Sequence, residues 1–191
     1  MLELTDGMLL YHGSYTTVSQ IDLAKCNAGL DFGKGFYLTS SYEQAKSFVP
    51  NSVRRNIRAN VIPETFDMDD GQISVFRFHA TATVGIHTFQ DADLPWLHFV
   101  AANRNHELFP DLFSSMEHMD IVGGKIANDN TTRVLTGYVT GLFGEPGSQL
   151  ADDFAIRSLL PNRLENQFCF RTEAAIATLE FVRSDRYGNV K

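Results

Sequence analysis

Residues 31–49 constrain the fold of this chain more than any other segment of its sequence. Gly33 and Gly35 flank Lys34 and precede the apolar run Phe36-Tyr37-Leu38. Aromatic residues favour pleated surfaces and glycine lets the backbone turn sharply, so this pattern predicts a strand entered through a tight turn. Alternation along that strand directs Phe36 to the face opposite Tyr37, into the core.

A helix is predicted directly after this strand. Ser40 and Ser41 are good N-cap residues, and Glu43 or Gln44, three residues beyond one serine or the other, completes a capping box. The apolar side of the helix is formed by Ala45, Phe48 and Val49. Strand, turn and helix bring Tyr37 and Phe48 toward each other. Two facing rings form a slot for a flat aromatic ligand, and each stacking contact contributes about 0.5–1.5 kcal/mol.

A short strand is also predicted near the N-terminus. Residues 8–12 are apolar up to His12, and the run stops at Gly13. His12 is therefore expected at a strand end, beside a backbone opened by glycine. Taken alone, the pair favours a histidine satisfied by local hydrogen bonds.

The pattern F-G-K-G-F-Y-L-T, followed by a serine-capped helix ending in an aromatic residue, resembles the nicotinamide-binding segment of a known superfamily. That superfamily comprises ADP-ribosyltransferases of the diphtheria-toxin and poly(ADP-ribose) polymerase type. More narrowly, the chain resembles a group of small bacterial domains assigned to it, most of them uncharacterised. The resemblance is strongest in residues 9–49, 95–104, 120–129 and 164–181. It implies an α+β fold, a split mixed or antiparallel β-sandwich with surrounding helices, in a single domain of residues 1–191.

The resemblance also implies a site for NAD. His12 and Gly13 match a His-Gly pair whose imidazole bonds a ribose hydroxyl and whose glycine backbone pairs with the nicotinamide carboxamide. Tyr37 matches the stacking tyrosine, and Phe48 takes the place of its aromatic partner. Lys34 is expected either to contact a phosphate or to be a solvated turn residue. The NAD-binding residues implied are His12, Gly13, Ser14, Gly35, Tyr37, Ser41 and Phe48.

Two positions depart from the superfamily pattern. Some relatives bond the nicotinamide amide through a helix serine, and that position falls on Ala45 here, so Ser41 or the helix N-terminus would substitute. The strand predicted at residues 164–170 carries Gln167 where a catalytic glutamate is usual, and Glu165 lies two residues earlier on the same face. A neutral amide offers no charge to the cationic transition state, a loss of roughly 10²–10³ in rate. Both a slow transferase and a transferase in which Glu165 supplies the missing charge fit this pattern. Without the resemblance, Gln167 is equally a polar residue on an exposed strand face. The catalytic set implied is His12, Tyr37 and Gln167.

Composition limits the class of protein. A chain of 191 residues fits one domain, and its net charge of −7 argues against nonspecific binding to nucleic acid. Cys26 and Cys169 fit no metal-ligand or redox spacing, so no metal is expected, and a reduced cytoplasmic location is a simpler reading than a single disulfide. No secretory signal or membrane span is expected from the N-terminus or from any apolar run.

The remaining elements are predicted from periodicity and caps. Residues 50–71 are polar and predict a loop with one strand at residues 57–62. A helix at residues 94–104, capped by Asp93, carries a core stripe and ends in Arg104, which could reach an anionic ligand. Asp129 is expected to be a helix cap. The other predicted helices are residues 131–140, 148–160 and 173–179, and the other predicted strands are residues 72–80, 119–127, 164–170 and 180–187.

The function implied by the resemblance is an NAD-dependent mono-ADP-ribosyltransferase acting on a macromolecular acceptor, with protein favoured over nucleic acid. In relatives the loop before the third catalytic residue selects the acceptor, which here points to Asn162, Arg163 and Glu165. If water is the acceptor, the protein is an NAD glycohydrolase. The missing glutamate also fits a catalytically silent module that binds NAD or an ADP-ribosylated ligand. The bacterial group resembles toxins paired with an antitoxin, which implies a toxic role and an antitoxin partner.

Overall fold

A computed structural model describes residues 2–125, 129–159 and 165–189 of the chain. Seven strands within these ranges form one mixed sheet in the order β4-β5-β6-β2-β1-β3-β7. The strands are β1 (Leu9–Ser14), β2 (Phe36–Thr39), β3 (Gln72–Phe78), β4 (Ile86–Thr88), β5 (Ile121–Lys125), β6 (Asn166–Phe170) and β7 (Leu179–Arg186). Only β4 and β5 pair in parallel; all other neighbours are antiparallel. The helices are α1 (Tyr42–Arg58), α2 (Leu94–Arg104), α3 (Pro110–Ser115), α4 (Asp129–Val139), α5 (Gln149–Leu159) and α6 (Glu173–Ile176). The predicted α+β class is confirmed.

Alternation along the strands gives the sheet two buried faces. On one face, Phe36, Phe76 and Phe168 pack with neighbours from the N-terminal segment and α6. On the other face, the β5–β6 half packs against α2, α4 and α5, with Trp96 and Phe99 fully buried. The β1–β3 half of that second face is covered by α1. The predicted core positions of Phe36 and of the α2 aromatic stripe are therefore confirmed.

The loop predicted from residue 50 is wrong as far as Arg58, because α1 continues through Pro50 to Arg58, and residues 57–62 form no strand. Proline removes a helical N–H and normally ends or kinks a helix. Here the apolar spacing of Ala45, Val49 and Val53 continues on both sides of the proline, and all three side chains are buried against β1 and β3. Burial of this continuous face outweighs the one missing backbone hydrogen bond.

Most locally signalled elements are confirmed with shifted ends. Helix α2 has the predicted bounds, with Asp93 accepting the Trp96 N–H at 3.1 Å. Strand β1 runs two residues past His12, and β6 begins at Asn166. The short α6 ends at Ile176, so β7 begins at Leu179. Strand β4 and helix α3 are absent from the sequence predictions. Among the described helices, none is both long and apolar enough to cross a membrane.

Candidate functional site

A cleft opens where α1 crosses the edge between β1 and β2. Its empty volume, which includes space open to solvent, is about 390 Å³. The residues that line it come from β1, β2, α1 and β6. They are Tyr11, His12, Gly13, Tyr37, Leu38, Thr39, Gln44, Ala45, Phe48 and Gln167.

The cleft exists because the β1–β2 ladder stops after a single pair. Tyr11 pairs with Thr39, and the same antiparallel register would next place Gly13 opposite Tyr37, but those two are not paired. Hydrogen-bonding direction alternates along a strand. The carbonyl of Met8 accepts the N–H of Phe78 at 2.9 Å, so the backbone groups of even-numbered residues in β1 point toward β3. The N–H and C=O of the odd-numbered Gly13 therefore point toward β2. The backbone of Gly13 is therefore presented to the opening.

His12 occupies the place where the ladder would have continued. Its Nδ1 lies 2.9 Å from the carbonyl oxygen of Tyr37, and since a carbonyl only accepts, Nδ1 carries the proton. Burial and the positive charge of Arg55 lower the pKa of His12, against the opposing effect of the Tyr37 hydrogen bond. The neutral imidazole then leaves Nε2 as an acceptor, with no hydrogen-bond partner among the described residues. The ring also packs on Phe36, with centroids 4.5 Å apart.

Gly13 is required by the close approach of α1. A Cβ at this position would lie 1.9 Å from the carbonyl oxygen of Ala45 and 3.2 Å from Cγ2 of Val49. No side chain fits there without moving the helix backbone. The glycine therefore fixes how closely α1 approaches β1, and so the width of the cleft.

Tyr37 forms one wall, and its hydroxyl is fully engaged by the preceding loop. The hydroxyl donates to the carbonyl of Gly33 at 2.7 Å and accepts the N–H of Phe32 at 3.0 Å. Burial raises the pKa of Tyr37 far above its ordinary value. The phenol is thus a rigid stacking surface, unsuited to proton transfer at neutral pH.

The loop that holds Tyr37 is tied to α2 by an ion pair. Arg104 donates from Nε and Nη2 to one carboxylate oxygen of Asp31, at 2.9 and 2.5 Å. Both side chains are mostly buried, 18% and 10% exposed. Arg104, which the sequence predicted could reach an anionic ligand, therefore pairs with the carboxylate of Asp31 within the protein.

Phe48 and Gln44 form the α1 wall. Phe48 is 43% exposed although it is a large apolar side chain, and of the ring contacts made by described residues none joins it to Tyr37. Glu43 or Gln44 was expected to complete the capping box. Instead Thr39 accepts the Ser41 N–H at 3.0 Å and lies 2.7 Å from Gln44 Oε1. The other end of the Gln44 amide has no partner in the described ranges and borders the cleft.

Gln167 closes the cleft from β6, opposite Thr39 of β2 and Gly124 of β5. Its side chain is only 6% exposed, yet its amide has no hydrogen-bond partner among the described residues. The amide atoms remain accessible from the cleft, since the fully buried side-chain atoms without a partner in the described ranges are Asn103 Oδ1 and Asn166 Oδ1. The Gln167 amide is therefore free to bond a polar ligand in the cleft.

The other predicted site residues lie outside the lining. Ser41 caps α1 by accepting the Gln44 N–H at 3.2 Å. Gly35 is buried where a Cβ would lie 2.5 Å from the Cys169 sulfur, so β2–β6 packing requires it. Ser14 is buried at the end of β1. Lys34 and Glu165 are exposed.

Three of the residues named from the sequence lie in or next to ranges that the structure does not describe. Asn162 and Arg163, expected to contact an acceptor, lie outside the described residues. Asp129 begins α4, but its side chain is not among those described. Both cysteines are free thiols. Within the described ranges no cluster of His, Cys, Asp or Glu side chains could hold a metal ion.

Sequence reasoning missed Gln44 and Thr39 as lining residues. Gln44 carries only the signal of a helix-capping residue, and Thr39 that of a strand end. Their contribution depends on the angle at which α1 leaves β2, which no local pattern encodes. The polar groups of the cleft are imidazole, amides, hydroxyls and backbone, all uncharged at neutral pH.

Comparison with known proteins gives one family. A family model described as "Protein of unknown function (DUF3990)" matches residues 8–181, a span that contains every residue lining the cleft. No curated protein and no solved structure matches the chain. Since the family model covers most of the 191 residues, the chain belongs to the DUF3990 family.

Proposed function

We propose that this protein is an NAD-dependent mono-ADP-ribosyltransferase with an ADP-ribosyltransferase-like fold. It transfers ADP-ribose from NAD to a macromolecular acceptor, and its acidic charge favours a protein acceptor over nucleic acid. The supporting observation is the cleft at the β1–β2 opening. Five residues that the resemblance implicates in NAD binding or catalysis line it together: His12, Gly13, Tyr37, Phe48 and Gln167.

The cleft suits a nicotinamide ring and its carboxamide. Tyr37 and Phe48 offer aromatic surfaces on opposite elements, and the ring enters between them. Gly13 presents a backbone N–H donor and a C=O acceptor to the opening, which matches the two ends of a carboxamide. The neutral His12 offers Nε2 as an acceptor for a ribose hydroxyl. Uncharged polar groups next to aromatic rings are the chemistry that a carboxamide-bearing heterocycle requires.

The reaction breaks the bond between the nicotinamide nitrogen and C1′ of the ribose. Both electrons of that bond leave with the nitrogen, which converts the cationic pyridinium into neutral nicotinamide. An acceptor nucleophile then forms a bond to C1′ and loses its proton to solvent or to a base of the acceptor. Gln167 orients the sugar hydroxyls but supplies no negative charge, and one such missing stabiliser costs about 2.7–4 kcal/mol. We therefore expect slow turnover.

A second candidate is a catalytically silent module that binds NAD or an ADP-ribosylated ligand. The absence of a carboxylate among the residues lining the cleft favours it. An NAD glycohydrolase, with water as the acceptor, uses the same cleft. The three candidates share a ligand and differ in the product, so product analysis separates them.

The test combines NAD binding to the purified protein with product analysis in a cell lysate. NAD labelled in its adenylate half is incubated with the protein in a cell lysate, and chromatography separates free ADP-ribose from labelled macromolecule. Label that protease releases and nuclease does not supports transfer to protein. Free ADP-ribose alone rules out transfer and indicates a glycohydrolase. Calorimetric binding without any release of nicotinamide indicates the silent module.

A matched pair of variants connects the result to the cleft. Phe48→Ala removes an exposed ring from the cleft wall, whereas Phe154→Ala removes a similarly exposed ring, 51% accessible, from α5. Neither truncation empties the core. We expect Phe48→Ala to weaken NAD binding about tenfold, in line with about 1.4 kcal/mol for one stacking contact, and Phe154→Ala to leave binding unchanged. Equal affinities in the two variants would place the ligand elsewhere.

A further inference from the structure

Arg55 lies on the side of α1 that continues the cleft wall. A helix turns about 100° per residue, so Arg55 points within roughly 20° of Phe48 and lies about 10 Å further along the axis. Between them, Ser52 accepts the N–H of Tyr15 at 3.2 Å. This stripe of the helix therefore runs beside the end of β1, past the His12–Gly13 corner.

The charge of Arg55 acts on a residue that lines the cleft. After burial, which has the larger effect, the Arg55 guanidinium also lowers the pKa of His12. Arg55 is exposed, and it forms no ion pair with any carboxylate in the described ranges. Arg183 also acts on a lining residue, Tyr11, but it is paired with Asp185 at 2.9 Å. Since the groups lining the cleft are uncharged at neutral pH, Arg55 supplies positive charge to a site that has none of its own.

An alternative role for Arg55 needs no ligand. Arg55 and Arg58 both lie in the last turn of α1, where cations stabilise a helix through its dipole. Arg58 shares that role and that exposure but points roughly 80° away from Phe48. The two arginines thus form a matched pair, alike in charge and helix position and different in direction.

We infer that Arg55 binds a phosphate of the ligand whose aromatic end enters the cleft. This inference rests on the proposed function, because it takes that ligand to be a nicotinamide nucleotide. One ribose and its 5′ methylene separate the ring from the first phosphate, and in this arrangement that spacer together with the long arginine side chain bridges the roughly 10 Å between the Phe48 and Arg55 positions. Arg55 then selects ligands that carry a phosphate over nicotinamide and its nucleoside.

The experiment compares three ligands on three proteins. Calorimetry measures the Kd of NAD, nicotinamide mononucleotide and nicotinamide riboside for wild type, Arg55→Gln and Arg58→Gln. We expect Arg55→Gln to raise the Kd of both phosphate-bearing ligands about tenfold, the size of one charge-assisted contact. The riboside, which has no phosphate, should change by less than about twofold. Arg58→Gln should leave all three affinities within the same range.

Different outcomes identify which idea fails. Unchanged nucleotide affinity in Arg55→Gln, or an equal loss in Arg58→Gln, overturns the phosphate contact while the proposed function stands. A wild-type protein that binds none of the three ligands overturns both. An NMR titration checks the geometry independently: Arg55→Gln should raise the pKa of His12, because a repelling charge is removed. A pKa of His12 that does not move also overturns the inference.

Discussion

Replacing Gly13 by alanine tests the central contact of the site. The new Cβ would lie 1.9 Å from the Ala45 carbonyl oxygen, whereas ordinary van der Waals contacts are 3.4–4 Å and real Cβ contacts under 3.0 Å are essentially never seen. The obstructing atom is backbone, so no side-chain rotation relieves the clash. Helix α1 must move from β1 by about 1 Å or more to reach even the shortest tolerated contact.

The magnitude follows from the cost of overpacking. Extra atoms in a well-packed interior typically cost roughly 1–3 kcal/mol, and a rigid backbone neighbour puts this site at the upper end. For a domain of this size each kcal/mol lowers the melting temperature by about 2–4 °C. Gly13→Ala should therefore lower the melting temperature by roughly 6–12 °C.

Calorimetric melting of Gly13→Ala is compared with that of Gly85→Ala. A Cβ at Gly85 meets its nearest atoms at 3.7, 3.7 and 3.8 Å, so that variant should stay within about 1 kcal/mol of wild type. Both changes add the same methyl group and remove the same backbone freedom. If Gly13→Ala has the same melting temperature as Gly85→Ala, the contact between α1 and β1 is not as close as described.

Three further predictions concern the elements around the cleft. The folded state lowers the pKa of His12 below its ordinary 6.5. As pH falls, the unfolded chain therefore takes up this proton before the folded protein does, and stability is lost below about pH 6.5. His12→Asn should show a smaller drop in melting temperature than wild type between pH 7.5 and 5.5, and equal drops in the two proteins would contradict this. Arg104→Ala removes two hydrogen bonds from the mostly buried Asp31 and should lower the free energy of unfolding in urea by up to about 3 kcal/mol. The control Arg77→Ala breaks an exposed pair with Glu180 and should lower it by less than about 1 kcal/mol. Similar losses in the two variants would count against a stabilising role of the Asp31–Arg104 ion pair. Pro50→Ala restores a helical donor inside α1 and should raise stability by about 1 kcal/mol or more, a gain that thermal melting would show and that an unchanged midpoint would refute.

Elements with complete local signals were predictable from the sequence. The glycine-flanked aromatic run is β2, Ser41 caps α1, and the Asp93 cap with Pro95 gives α2 its predicted bounds. In each case the signal and the structure lie within a few neighbouring residues. Such short-range physics is encoded directly in the sequence pattern.

The missed elements depend on distant partners or break a local rule. Strand β4 has three residues and exists through its parallel pairing with β5, more than thirty positions away. Helix α3 starts at Pro110 after Phe109 in a left-handed conformation, without a side-chain cap. For α1, the polar composition of residues 50–71 masks the apolar spacing that continues from Val49 to Val53.

The candidate site was predictable only in its parts. The resemblance named His12, Tyr37 and Gln167, which come from three different strands, but the sequence alone does not set the register that brings them together. That register places Gln167 opposite Thr39, and the turn of α1 adds Gln44. Which polar groups are left without partners follows from these long-range pairings and not from any motif.

The single Tyr11–Thr39 pair makes the junction between β1 and β2 the most weakly paired part of the sheet. On one side lie β1, β3 and β7, joined by long ladders, and on the other lie β2, β6, β5 and β4. The strands of a sheet are held together by their hydrogen-bonded pairs, so we expect thermal bending of the sheet to concentrate between β1 and β2, which share only one pair. A ligand bound between these two strands would reduce that bending by contacting both halves of the sheet.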